Sequence, residues 1–270
     1  ALALIVAACG KEEAAAPISE ATAIVEEGVV DAVDHTPESS VPDTESLVVV
    51  EESAAEAEPE DKVIVLALAE DPAEGRIWQF KEGTHYSRLV PTQPTVGGPD
   101  KIEVAEVFMY SCPHCYDLEG HMHRWEESKN PDVRLVRIPA AFNQIAQLHA
   151  QLYYTEVFLT KSGKLQDQNA FRNMVFEEFH RRGNRIASEA TIQKLFERSG
   201  ITAEDFSRTW NSFEVNQALR LAADLARRYN IMSVPAIIVN GKYKTDAGMA
   251  GSYPKLIELI DELTAREGLR

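Results

Sequence analysis

The apolar positions of this chain change their spacing along its length, and each change marks an element. Residues 101–110 form a nearly continuous apolar run broken by Glu103 and Glu106, the pattern of a strand covered on both faces. Residues 116–125 are helix-tolerant apart from Gly120, and 133–138 alternate as a strand should. Together these stretches predict a β-α-β unit. The spacing then turns helical. Stretches over about 142–161, 169–182 and from Ser188 onward run up to Gly163, Gly183 and Gly200, the residue type that most readily closes a helix. Thr202-Ala203-Glu204-Asp205 reads as a helix start for a segment carrying Phe206 and Trp210, and 213–229 is helical again. A strand returns at Ala236-Ile237-Ile238-Val239. Asn240-Gly241 then predicts a tight hairpin turn, Lys242-Tyr243-Lys244 the return strand, and 254–266 a closing helix. Strands at both ends with helices between them imply an α/β domain carrying a helical insertion.

Upstream of this domain the pattern fails. Residues 10–75 hold 19 acidic and 2 basic side chains and no aromatic residue, so nearly all of the formal charge of −16 belongs to one segment. Such a composition cannot bury enough apolar surface to offset its ordering entropy, and it predicts a disordered, self-repelling tether. The rest of the chain is close to neutral, which removes any case for an acidic docking surface or a basic nucleic-acid stripe. Aromatic residues appear from Trp78, Phe80 and Tyr86 onward, followed by a loop at Pro91-Thr92-Gln93-Pro94. The 270 residues, 44% of them hydrophobic, leave room for one or two domains with a core.

The chain opens on the apolar residues 1–8, without a basic flank, followed by Cys9. This is the end of a secretory signal in character, and Val6-Ala7-Ala8-Cys9 looks like a bacterial lipobox, in which the Cys9 sulfur carries the lipid. Residues 1–8 cannot span a bilayer alone. A lipid anchor followed by a long tether is a coherent arrangement for a domain held near a membrane.

Apart from Cys9 the only cysteines are Cys112 and Cys115, in Cys112-Pro113-His114-Cys115, between the strand at 101–110 and the helix that follows. Cys112 there caps the helix, where free backbone N–H groups and the positive dipole end favour a thiolate. His114, between the two sulfurs, can add an N–H donor or a positive charge. A zinc site competes for any such cysteine pair, but His121 and His123 lie about 200° apart around a helix and cannot share one metal. Two further residues bear on the dithiol. Pro235 follows Val234 just before the strand at 236–239, and Glu106 lies on a buried strand face, where a carboxylate is costly unless paired or protonated.

The stretch from Cys112 to Glu119, with Trp210-Asn211-Ser212-Phe213, Val234-Pro235-Ala236 and Val239-Asn240-Gly241-Lys242-Tyr243, resembles the DsbA family of bacterial disulfide oxidases from about Trp78 to the C-terminus. The resemblance implies a thioredoxin fold interrupted by a helical domain: a DsbA-like domain over 78–270, with its thioredoxin part at 78–140 and 231–270 and its insertion at 141–230. In front of it, composition and the lipobox-like stretch predict a leader remnant at 1–8 and an anchor and linker at 9–77. The resemblance also implies a cis Pro235 beside the dithiol and a buried acid at Glu106 with Arg137 as basic partner. In the implied reaction Cys112 forms the mixed disulfide and Cys115 resolves it. Glu106 passes the proton of Cys115 through water, and Val234 presents its backbone to an extended substrate. The substrates would be exported cysteine-containing proteins, and reoxidation would come from a quinone-linked membrane partner of the DsbB type. No cofactor, metal or nucleic acid is implied, and a monomer is expected. Two rivals are an isomerase or reductase of the same fold and a lipid-anchored peptide-binding chaperone. The long acidic front departs from the usual soluble family member.

Overall fold

The computed structural model describes residues 77–268. The leader remnant, Cys9 and the acidic stretch through residue 76 lie outside the described residues. Among the described residues the sheet has strands β1 (Ser87–Arg88), β2 (Ile102–Phe108), β3 (Val133–Pro139), β4 (Ala236–Val239) and β5 (Tyr243–Thr245). They lie in the order β1-β5-β4-β2-β3. β2 pairs parallel with β3 and antiparallel with β4, so it is an interior strand, and this is why its apolar run is nearly unbroken.

Successive side chains of β2 point to opposite faces and meet different helices. Val104 faces helix α1 (Pro113–Ser128) and helix α8 (Tyr253–Gly268), packing with Leu118, Met122, Leu259 and Leu263. Ala105 and Val107 face the other way, onto Ala222 and Leu225 of helix α6 (Phe213–Arg228). A thioredoxin-type sheet with helices on both faces results. Helices α2 (Gln144–Lys161), α3 (Gln168–His180), α4 (Glu189–Arg198) and α5 (Ala203–Trp210) form the inserted helical unit. Its core gathers Leu152, Phe171, Phe176, Phe196, Phe206 and Trp210, and it also takes in Phe108, Tyr110, Cys112 and Cys115. The junction between β2 and α1 therefore belongs to two cores at once.

Local signals account for most boundaries. Ser188 and Thr202 cap α4 and α5 by accepting backbone N–H bonds, and the three glycines expected to stop helices sit at positive φ. Asn240 and Gly241 also have positive φ, at 52° and 63°, and the Lys242 N–H reaches the Val239 carbonyl at 2.9 Å. This is the mirror-image turn that suits a hairpin. Pairing resumes at Tyr243 rather than Lys242, because Lys242 closes the turn. β2 stops at Phe108 rather than running to 110, since 109–111 bend toward the helix. β1 and the short helix α7 (Ala247–Ala250) carry no readable period at their lengths. Although α6 falls within 141–230, it covers the sheet, because Ala222 and Leu225 fit against Val107 and Ile138.

The β2–β3 register aligns Glu103 with Arg134 and Glu106 with Arg137 on opposite faces of the sheet. Both pairs are ionic, Glu103–Arg134 at 3.4 Å and Glu106–Arg137 at 3.2 Å. A one-residue slip would break both and invert every buried side chain. No helix among the described residues is long and apolar enough to cross a membrane.

Candidate active site

The chain leaves β2, bends at 109–111 and enters α1 with Cys112 as the N-cap, its backbone extended and Pro113 following at the position where a missing N–H costs nothing. The Cys112 N–H bonds to the Met109 carbonyl at 3.1 Å, and the Cys112 carbonyl accepts the first helical bond from Tyr116 at 3.1 Å. Cys115, one turn on, is completely buried, whereas Cys112 keeps a small exposed area. Both are free thiols.

Their surroundings drive the two sulfurs apart. The Cys115 S–H, followed by the backbone N–H groups of Cys115 and His114, lowers the Cys112 thiol to about 6 against the opposing effect of burial. Burial, together with the hydrogen bond to Cys112, raises Cys115 well above the usual thiol range. One thiolate and one thiol thus share a single proton. His114 is exposed and contributes more through its backbone N–H than through its ring charge. Its ring Nδ1 lies 3.5 Å from the Tyr253 hydroxyl, which also approaches the His114 carbonyl at 3.3 Å.

A lowered thiol carries a checkable pH dependence. Ultraviolet absorbance of the reduced protein is expected to show thiolate forming with a midpoint near pH 6, with a midpoint at the free-cysteine value as the contrary result. Between that midpoint and the unfolded-chain value the unfolded reduced chain binds the extra proton, so the folded reduced form gains stability as pH rises across this window. The gain is lost as pH falls through about 6.

The loop before β4 reaches the same sulfur. The Val234 carbonyl is 3.4 Å from Cys112 Sγ, and the Val234–Pro235 peptide is cis. Two residues earlier in the same loop, Met232 is 82% exposed. His121 stacks near Tyr253 and His123 pairs with Glu127, so each has a partner on its own side of α1. Among the described residues no group of three or more His, Cys, Asp or Glu side chains is placed to hold a metal.

Beneath the dithiol lies a buried charge network larger than the Glu106–Arg137 pair that the family resemblance implies. Burial pushes Glu106 up to about 7, the Arg137 guanidinium opposing and Glu119 adding. Arg137 also approaches Glu119 at 3.6 Å and Glu126 at 3.1 Å. Arg172 of α3 joins Glu119 at 3.2 Å to Glu156 of α2 at 3.4 Å. The Tyr110 hydroxyl donates to Glu156 at 2.6 Å, returning the chain of contacts to the strand end before Cys112. Sequence reasoning missed Glu156, Arg172 and Tyr110 in this role. The readable signal was Glu156 itself, a carboxylate inside the apolar run 152–159 of a predicted helix.

A thioredoxin-type sheet that holds an asymmetric dithiol at a helix N-terminus, beside a cis-proline loop, defines a thiol:disulfide oxidoreductase. Residues 103–256 match the DSBA-like thioredoxin domain. The chain is 36% identical over 188 residues to the thiol:disulfide interchange protein DsbA of Pseudomonas aeruginosa, covering 70% of this chain and 86% of that one. It is also 36% identical to the protein of that name from Pseudomonas syringae pv. tomato, over 70% and 85% of the two chains. The crystal structure of Pseudomonas aeruginosa DsbA superposes with a TM-score of 0.64 at 35% identity, over 70% of this chain and 94% of that one. The chain belongs to the DsbA-like thioredoxin family, and its helical insertion is that family's fold.

Proposed function

We propose that this protein is a periplasmic oxidase that introduces disulfides into exported cysteine-containing proteins through Cys112 and Cys115. The observation that carries the reading is the opposed pair of sulfurs, one held as thiolate and one as buried thiol. A substrate thiolate attacks Cys112 Sγ, and the Cys112–Cys115 bond breaks as a new Cys112–substrate disulfide forms. Cys115 leaves as a thiolate and takes a proton from Glu106, which recovers one from solvent. The substrate's second thiolate then attacks its own bonded sulfur and expels Cys112 as a thiolate. Two electrons pass from the substrate dithiol to the enzyme disulfide. The stabilised Cys112 thiolate favours the reduced enzyme and so drives oxidation of the substrate.

Val234 offers its backbone to an extended substrate segment, cis Pro235 holds that loop against the dithiol, and the backbone N–H groups of His114 and Cys115 face the Cys112 sulfur. In reoxidation, Cys112 attacks a disulfide of a quinone-linked membrane partner of the DsbB type; Glu106 first releases its proton to solvent, and Cys115 then gives its proton to that carboxylate as it closes the enzyme disulfide. No cofactor is needed within the chain. The domain spans 78–270, thioredoxin part at 78–140 and 231–270 and insertion at 141–230, and works as a monomer. It is carried by a lipid on Cys9 through the acidic linker at 9–77 and held near the membrane.

Equilibrating the full chain with mixtures of reduced and oxidised glutathione tests the assignment. The dithiol is expected to stay reduced until the mixture is strongly oxidising, with a potential well above the roughly −270 mV of thioredoxin. A thioredoxin-like potential would refute the oxidase reading and favour a reductase.

A further inference from the structure

The buried network holds three carboxyl groups, Glu106, Glu119 and Glu156, against two guanidiniums, Arg137 and Arg172. Glu126 sits at its solvent edge, with about a third of its side chain exposed. Guanidinium groups remain charged at all relevant pH values, so one buried carboxyl lacks a countercharge. An isolated buried charge costs several kcal/mol, and binding one proton removes that cost.

Geometry decides which carboxyl holds the proton. Glu119 touches both guanidiniums, and Glu156 has Arg172 together with the Tyr110 hydroxyl. Glu106 has Arg137 alone, and that guanidinium is divided among three carboxylates. The groups facing Glu106 are Arg137 from β3, Glu119 and Cys115 from α1, and the more distant Tyr153 of α2 and Arg172 of α3. Its β4 neighbour, Ile237, is apolar. Glu106 is also near enough to Cys115 for its charge to act on that thiol.

We infer that Glu156 and Arg172, both carried by the helical insertion, are positioning residues for thiol exchange: together they keep the surplus proton of the buried network on Glu106, beside the resolving thiol. The inference rests on the reading that Glu106 exchanges a proton with Cys115. Glu156 acts by occupying Arg172. Without its charge the carboxyls and guanidiniums balance, and Glu106 stays ionised at neutral pH with no proton to give the departing Cys115 sulfur. Removing the charge of Arg172 has the opposite effect and binds the proton more tightly.

The test is a carbon-13 NMR titration of glutamate carboxyls in the reduced full chain, with Glu106 assigned by its loss in Glu106→Gln. In Glu156→Gln, which keeps the shape and one acceptor oxygen, the Glu106 midpoint is expected to fall by about one pH unit, and in Arg172→Gln to rise. A structural role alone would not move the midpoint in opposite directions. The protonated fraction at neutral pH drops from about half to about a tenth, so single-turnover oxidation of a dithiol peptide by Glu156→Gln slows roughly fivefold and recovers toward pH 6. A Glu106 midpoint that Glu156→Gln leaves unchanged or raises overturns the inference. A wild-type chain that fails to oxidise the peptide at all refutes the proposed function instead, and the carboxyl titration still reports where the surplus proton sits.

Discussion

Cys112→Ser is expected to leave a folded domain whose dithiol-peptide oxidation has fallen to the uncatalysed background. The serine oxygen cannot form or exchange a disulfide, and the remaining sulfur cannot replace it. Cys115 is fully buried, and its thiol is held in the protonated form by burial, so it is neither reachable nor nucleophilic. The fold should survive, because Cys112 contributes a small side chain at the edge of its core and its capping role is backbone geometry. Far-ultraviolet circular dichroism of the variant serves as the control. Retained turnover would show that the pair is incidental and would favour a peptide-binding protein over a disulfide exchanger. Cys115→Ser should behave differently: offered a peptide disulfide, its Cys112 thiolate expels one peptide sulfur as a thiolate and stays joined to the other, a mixed disulfide that gel electrophoresis without reductant can detect.

The second large effect concerns stability. Arg137→Met is expected to cost about 3–5 kcal/mol near neutral pH, since it strips the countercharge from a buried carboxylate and leaves the aliphatic packing in place. The Arg137 side chain is only 6% exposed and approaches Glu106, Glu119 and Glu126. The pH dependence has a definite sign. Glu106 is raised from 4.5 to about 7 in the folded protein, so its contribution to stability is fully present below about 4.5 and is lost as pH rises through about 7. Removing Arg137 raises the folded value further and deepens the loss at alkaline pH. Urea unfolding at alkaline and mildly acidic pH should therefore show a deficit that shrinks on acidification. A deficit below about 1 kcal/mol at alkaline pH would mean that the guanidinium is not what holds the buried carboxylates.

The two charge pairs of β2 and β3 show how much of the site was legible in the sequence. Glu106 stood out because it interrupts a run that only a two-faced strand produces, whereas Arg137 was named as its partner only through the family resemblance. Cys112 stood out through its place between periods. Glu106 and Cys112 each give a local signal within a short stretch, and helix stops such as Gly163 and caps such as Thr202 belong to the same class. Glu156 and Arg172 carry no such mark toward the dithiol, since only the folding of α2 and α3 against α1 brings them under it. Tyr110 reads as one more apolar strand residue until its hydroxyl finds Glu156. The strand Ser87–Arg88 escaped for another reason, because two residues pair only after β5 exists to receive them. The role of α6 was hidden likewise, since its amphipathic pattern says that it packs but not on what.

The first turn of α1 has one wall built by the insertion, through Leu152, Phe176 and their neighbours, and the rest of that helix has another built by the sheet. The consequence is one of modularity. Chain order suggests that 141–230 could be excised and a plain oxidoreductase left behind, or that the CPHC tetrapeptide could be transplanted into a simpler scaffold with its character intact. Neither operation would carry over the dithiol's full surroundings, because part of the apolar packing around Cys112 and Cys115 comes from the inserted helices. What recombination or a protein engineer can move as one working piece is the whole described span, insertion included.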